Sequence, residues 1–189
     1  MKANDLLMEP ANESSLTREA PVRDWRGAPD NMPPRLTATA MKRILLADDD
    51  PGVREMVGRV LESENYAITF ARNGREAAQR FTASAPDLVL LDLNMPDCDG
   101  WKTFGLMCNQ NPLVPVIVIT ARPHQLDNAV ELGVDALMEK PLNLPLLLET
   151  IRNLLAETEA ERTQRLTNPE FKTVLLGPAE SPREPQPSA

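Results

Sequence analysis

Three short runs in this chain are apolar almost from end to end: RILLA at 43–47, LVLLD at 88–92 up to its closing acid, and VPVIVIT at 114–120. None alternates apolar with polar residues, so none suits a strand with one face in water. Each suits a strand buried on both faces, which is the mark of a parallel sheet sandwiched between helices. The segments between them have helical spacing. Asp50 and Pro51 offer a cap and a first helical position before an apolar stripe of Val53, Met56, Val57, Val60 and Leu61. After a second strand, YAITFA, Asn73 caps a helix that turns Ala77, Ala78 and Phe81 inward. A third helix runs from about Gly100 with Phe104 and Met107 inward, and a fourth spans Leu126 to Leu132 and closes at Gly133. DALMEK is a weaker fifth strand. The last helix presents Leu144, Leu147, Leu148, Ile151, Leu154 and Leu155 on one face. Five strands alternating with five helices predict an α/β fold, a doubly wound five-stranded parallel sheet, because right-handed crossovers lay helices on both faces.

The flanks read differently. Residues 1–41 hold Pro10, Pro21, Pro29, Pro33 and Pro34 among charged and small residues and read as a disordered N-terminal extension, with Met41 an alternative start. Residues 157–189 read as a disordered Pro-rich tail, in which the apolar island FKTVLL at 171–176 is either a chance stretch or a docking segment. That leaves one folded unit over 42–156. Lys and Arg number 20 against 28 Asp and Glu, a net charge of −8 with no basic run, so direct nucleic-acid binding is not expected. The two cysteines, Cys98 and Cys108, form no metal or redox spacing and suit a reducing compartment. No run is long and apolar enough to span a bilayer and no signal segment opens the chain, so a cytoplasmic location without membrane insertion is expected.

In a parallel sheet all carboxyl ends lie on one side, and here they carry useful groups: Asp48 and Asp49 after the first strand, Asp92 ending the third, Thr120 ending the fourth and Lys140 ending the fifth. With strand order 2-1-3-4-5 the first and third strands are neighbours and their acids face one crevice. Three close carboxylates stay ionised only around a cation, and a hard divalent ion such as Mg²⁺, which takes carboxylate, carbonyl and phosphate oxygens, answers that need. Each residue alone has a plain reading, the acids as helix caps, Thr120 as a strand former, Lys140 as a surface lysine. Only their joint placement is specific.

That joint pattern resembles the receiver domain of bacterial two-component response regulators, of the stand-alone kind found among chemotaxis regulators. The blocks ILLADDDPGVR, LVLLDLNMPDCDG, VPVIVITA and EKPLN carry the likeness, over about residues 42–156. The resemblance implies a flavodoxin-like fold with Asp92 as phosphoacceptor. Asp48, Asp49, Asp92 and the backbone carbonyl of Asn94 would hold Mg²⁺, while Thr120 and Lys140 would hold the phosphoryl group. It also implies a cis peptide between Lys140 and Pro141. The implied partners are a sensor histidine kinase or histidine phosphotransfer protein and an unknown downstream protein. The implied role is that of a signalling domain rather than an enzyme, a single-domain switch, since no output domain fits in the tail.

The sequence departs from the family at Leu137, three positions before the lysine, where an aromatic often moves inward on activation. The Thr120–Lys140 stretch is also short, with Pro123 restricting the helix start. His124, the only histidine, reads as a solvated loop residue, and Met95, Cys98 and Trp101 read as structural. Two other readings stay open: a phosphorylation-independent scaffold of the same fold, and a Mg²⁺-dependent aspartyl phosphohydrolase, against which stands Asn94 where such enzymes often carry a second acid. Within signalling, a phosphate sink is a further variant.

Overall fold

The computed structural model describes residues 41–96, 99–168 and 170–177. The expected disorder of the N-terminal extension, the last twelve residues of the tail and the reading of Cys98 all fall outside them. Strands β1 (Arg43–Ala47), β2 (Ala67–Ala71), β3 (Leu88–Asp92), β4 (Val116–Thr120) and β5 (Ala136–Glu139) alternate with helices α1 (Pro51–Ser63), α2 (Gly74–Ser84), α3 (Gly100–Gln110), α4 (Leu126–Leu132) and α5 (Leu144–Ala156). The strands pair in parallel, as the apolar runs predict, and their order is β2-β1-β3-β4-β5.

Burial explains why those runs lack polar residues. Leu45, Ala47, Val89, Leu91, Val118 and Leu137 pack on one face against Ala77 and Phe81 of α2, Phe104 and Met107 of α3, and Ala129 of α4. The residues between them, Ile44, Leu46, Leu88, Leu90, Ile117, Ile119 and Met138, pack on the other face against Val57 and Leu61 of α1 and Leu147 and Ile151 of α5. Period-two geometry thus sends alternate residues of one strand into two separate cores. The caps stand where the sequence puts them. The Asp50 carboxylate accepts the Gly52 and Val53 amides, Asn73 Oδ1 accepts the Glu76 amide, and Gly133 ends α4 at φ +72°. Met56, expected in the buried stripe of α1, is instead exposed.

The reading of the tail needs correction. Past α5 the chain forms a further helix, α6 (Glu159–Thr167), and a strand, β6 (Val174–Leu176), which pairs in parallel with β5 and makes the sheet six-stranded. The FKTVLL island therefore docks, with Leu176 buried among the side chains on the α1 and α5 face. The reason α6 folds is a capping box, Thr158 accepting the Glu161 amide while the Glu161 carboxylate accepts the Thr158 amide. No helix among the described residues is long and apolar enough to cross a membrane.

Candidate phosphoacceptor site

The carboxyl ends of β1, β3, β4 and β5 meet at one edge of the sheet. Because β1 and β3 are neighbours, with Ala47 opposite Leu91, the acids that follow them are adjacent. Asp48 and Asp92 are almost fully buried, at 1% and 2% exposure, and Asp49 is exposed. A carboxylate oxygen from each of the three lies within 4.8 Å of the others.

Each buried carboxylate is held in the same way. One oxygen of Asp48 accepts the Asp50 amide at 2.9 Å, and one oxygen of Asp92 accepts the Asn94 amide at 3.0 Å. The remaining oxygens both accept from Lys140 Nζ, at 2.9 Å from Asp48 and 3.0 Å from Asp92. The Lys140 amide donates to the Thr120 carbonyl at 2.8 Å, which ties the end of β5 to that of β4, and the Lys140–Pro141 peptide is cis, as the resemblance implied. Arg54 Nη1 donates to the Asp48 carbonyl at 2.6 Å and ties the first turn of α1 to the same corner.

The electrostatics follow from this crowding. Burial pushes the Asp48 carboxyl above the usual carboxylate range, against the opposing pull of Lys140 and the Asp50 amide. Burial alone would lower the Lys140 ammonium, but its bonds to Asp48 and Asp92 outweigh that and leave it raised. Among the described residues Lys140 thus pairs with two of the three clustered acids, Asp48 and Asp92. Among the described residues the donor set is all oxygen, which suits a small hard divalent cation in place of further protons.

Thr120 is fully buried at the end of β4, beside β3, where Ile119 stands opposite Asp92. Its Oγ1 accepts the Arg122 amide at 2.9 Å, so its own hydrogen remains to be donated. The sequence had marked Asp48, Asp49, Asp92, Thr120 and Lys140, and all five come to this edge. What it had not marked is Gly100. A Cβ there would lie 2.5 Å from Leu93 Cα and 3.0 Å from the Asp92 carbonyl, so only glycine lets α3 start this close to the loop after β3. The signal available was the Asp-Gly pair of Asp99 and Gly100, of which Asp99 caps α3. Leu137 is fully buried, and His124 is exposed at φ 60°.

A comparison with known families matches residues 44–152 to the response regulator receiver domain. The chain belongs to that family. Two curated relatives of the receiver domain are the transcriptional regulatory protein TrcR of Mycobacterium tuberculosis, 31% identical over 137 residues, and the response regulator MprA of Mycolicibacterium vanbaalenii, 36% identical over 118 residues. The matches take in 71% and 61% of this chain and 51% of each relative, so the chain spans about half the length of the curated relatives it matches. Among solved structures, a CheY-like receiver domain protein from Methanospirillum hungatei is 28% identical at a TM-score of 0.59, covering 66% of this chain and 98% of that one. The response regulator TrrA of Thermotoga maritima, solved with Mg²⁺ and BeF, is 34% identical at 0.57, covering 60% and 99%. These are the two-component signalling proteins that the four sequence blocks had suggested.

Proposed function

We propose that this chain is a phosphorylation-dependent signalling domain in which Asp92 accepts a phosphoryl group from a phosphohistidine on a sensor kinase or a histidine phosphotransfer protein. The observation that carries this reading is the fixed Asp92 carboxylate, buried at the end of β3 with one oxygen on the Asn94 amide and the other on Lys140. An Asp92 oxygen attacks phosphorus in line, the new O–P bond forms as the N–P bond breaks, and the histidine leaves with the bonding pair and takes up a proton. Lys140 neutralises charge on the transferred group, and the Thr120 hydroxyl donates to one of its oxygens. Asp48, Asp49, Asp92 and the Asn94 carbonyl would hold Mg²⁺, which when bound supplies charge neutralisation on the phosphoryl oxygens.

Phosphorylation adds charge and acceptor oxygens at this edge, and the signal passes by protein contact to a downstream partner. Leu137 already lies inside the core, so this chain has no ring at that position to draw inward. Rearrangement falls to Thr120, Lys140 and the backbone that joins them. The test is intact mass after incubation with Mg²⁺ and a small acyl phosphate. One phosphoryl adduct is expected on the wild type, none on Asp92→Asn, and none when EDTA is present during the reaction. An equal adduct on both proteins removes Asp92 from the mechanism.

A further inference from the structure

The segment that joins β4 to α4 is lightly held. Ala121, Arg122, Pro123 and His124 are all exposed, and His124 stands at φ 60°, in the left-handed region that a residue with a Cβ rarely adopts. α4 spans only seven residues, and the side chain at its N-cap, Gln125, makes no capping bond. Within the segment the Arg122 amide donates to Thr120 Oγ1 at 2.9 Å, and Gln125 Nε2 donates to the Pro123 carbonyl at 3.1 Å. Among the described residues one hydrogen bond reaches 121–125 from another element: Trp101 Nε1 donates to Gln125 Oε1 at 3.0 Å.

That indole is anchored on the Asp92 side. Trp101 is the second residue of α3, its amide capped by Asp99, and Gly100 before it lies too close to Leu93 and the Asp92 carbonyl for a Cβ to fit. The ring meets Phe104 edge-on, with centroids 6.4 Å apart. Together with Leu126 of α4 it packs on the core cluster that holds Phe104, Ala129 and Leu137. Trp101 is therefore a fixed post, and Gln125 is the lightly held end. Their bond clamps the loop after β4 to the start of the helix that follows Asp92.

We propose that Trp101 is a positioning residue whose bond to Gln125 holds the β4–α4 segment in its unphosphorylated arrangement and opens when Asp92 carries a phosphoryl group. This rests on Asp92 being the phosphoacceptor. Thr120 Oγ1 keeps the Arg122 amide while its hydrogen reaches for a phosphoryl oxygen, so drawing Thr120 inward draws Arg122 with it. Gln125 lies three residues further on, and the wedged start of α3 cannot follow. The bond opens and α4 loses its outside anchor. With leucine at 137, the coupling passes through the indole of α3 rather than through a ring on β5. A bond made in one state alone favours that state and resists the other.

The full chain carrying Trp25→Phe keeps Trp101 as its single tryptophan. Its indole N–H is followed by nitrogen-15 NMR with Mg²⁺ and acetyl phosphate, with intact mass measured on the same samples. In the phosphorylated protein the N–H is expected to exchange with water about tenfold faster, and in Asp92→Asn not to change. Adduct kinetics supply the second readout. Trp101→Phe keeps a ring but has no N–H, and Gln125→Leu removes the acceptor. Each is expected to accept the phosphoryl group about three- to tenfold faster than wild type, the worth of one hydrogen bond, and the double variant no faster than either. A merely structural role leaves the rate unchanged or lowers it. No adduct on the wild type overturns the phosphoacceptor reading and the clamp with it. An adduct with indole exchange unchanged overturns the clamp alone. So do single variants no faster than wild type, or a double variant whose gain is the product of the two.

Discussion

Lys140→Met removes the one ammonium that faces Asp48 and Asp92 while keeping an unbranched apolar stem of similar length. Two carboxylates, both almost fully buried, are then left with their backbone amides and each other. Breaking a buried ion pair on one side costs about 3–5 kcal/mol. Lys140 keeps 21% of its side chain in water, which screens part of that, so about 2–3 kcal/mol is expected in EDTA. For a domain of this size that lowers Tm by about 6–12 °C. Adding Asp48→Asn to Lys140→Met should return much of the loss by removing the repulsion. Divalent binding moves the other way, because Lys140 already neutralises two of the acids, Asp48 and Asp92, that would hold a cation. Freed of that competition, Lys140→Met should bind Mg²⁺ about tenfold more tightly, the equivalent of about 1.4 kcal/mol. Urea melts in EDTA and titration calorimetry with Mg²⁺ read the two effects. A variant within about 0.5 kcal/mol of wild type, or one with weaker Mg²⁺ binding, refutes the account of Lys140 as the internal counter-ion.

Three further outcomes are expected. Gly100→Ala forces the start of α3 away from Leu93 and the Asp92 carbonyl, costing about 1–3 kcal/mol in urea melts and slowing adduct formation on Asp92. Burial raises the Cys108 thiol to about 11, so at pH 8 roughly one part in a thousand is thiolate. Peptide mapping should then find Cys108 largely unalkylated by iodoacetamide in the native state, and rapid labelling would contradict the burial. Thr158→Ala removes the capping box of α6 and should cost about 0.5–2 kcal/mol, read as lost helical signal and faster exchange over 159–167 with the central strands unaffected.

The five strands and the carboxylate edge were legible because their physics is local in sequence. A strand buried on both faces has to be apolar throughout, and its carboxyl end has to be where polarity returns, so Asp48, Asp92, Thr120 and Lys140 announce themselves. Parallel pairing puts these ends on one side of the sheet, and the strand order, which makes β1 and β3 neighbours, brings the acids together. Gly100 was harder, since the need for a glycine arises from α3 approaching Leu93, a distance no spacing rule encodes. Met56 shows the opposite error, an apolar residue at stripe spacing on the rim of the helix face where the core no longer reaches.

The C-terminal segment was missed for a different physical reason. Hydrophobic periodicity detects helices that pack through apolar stripes, and α6 packs through Arg162 and Arg165 onto Asp135. The capping box, Thr158 to Glu161, was present as a start signal, but with polar residues behind it such a pattern reads as solvated chain. Asp135 was equally opaque, because the acid that opens the DALMEK run reads as an ordinary strand-end residue until the two arginines, 27 and 30 positions later, arrive beside it. A buried carboxylate of this kind is costly unless its counter-charges are present, so Asp135 stands in the core only because α6 folds back onto it.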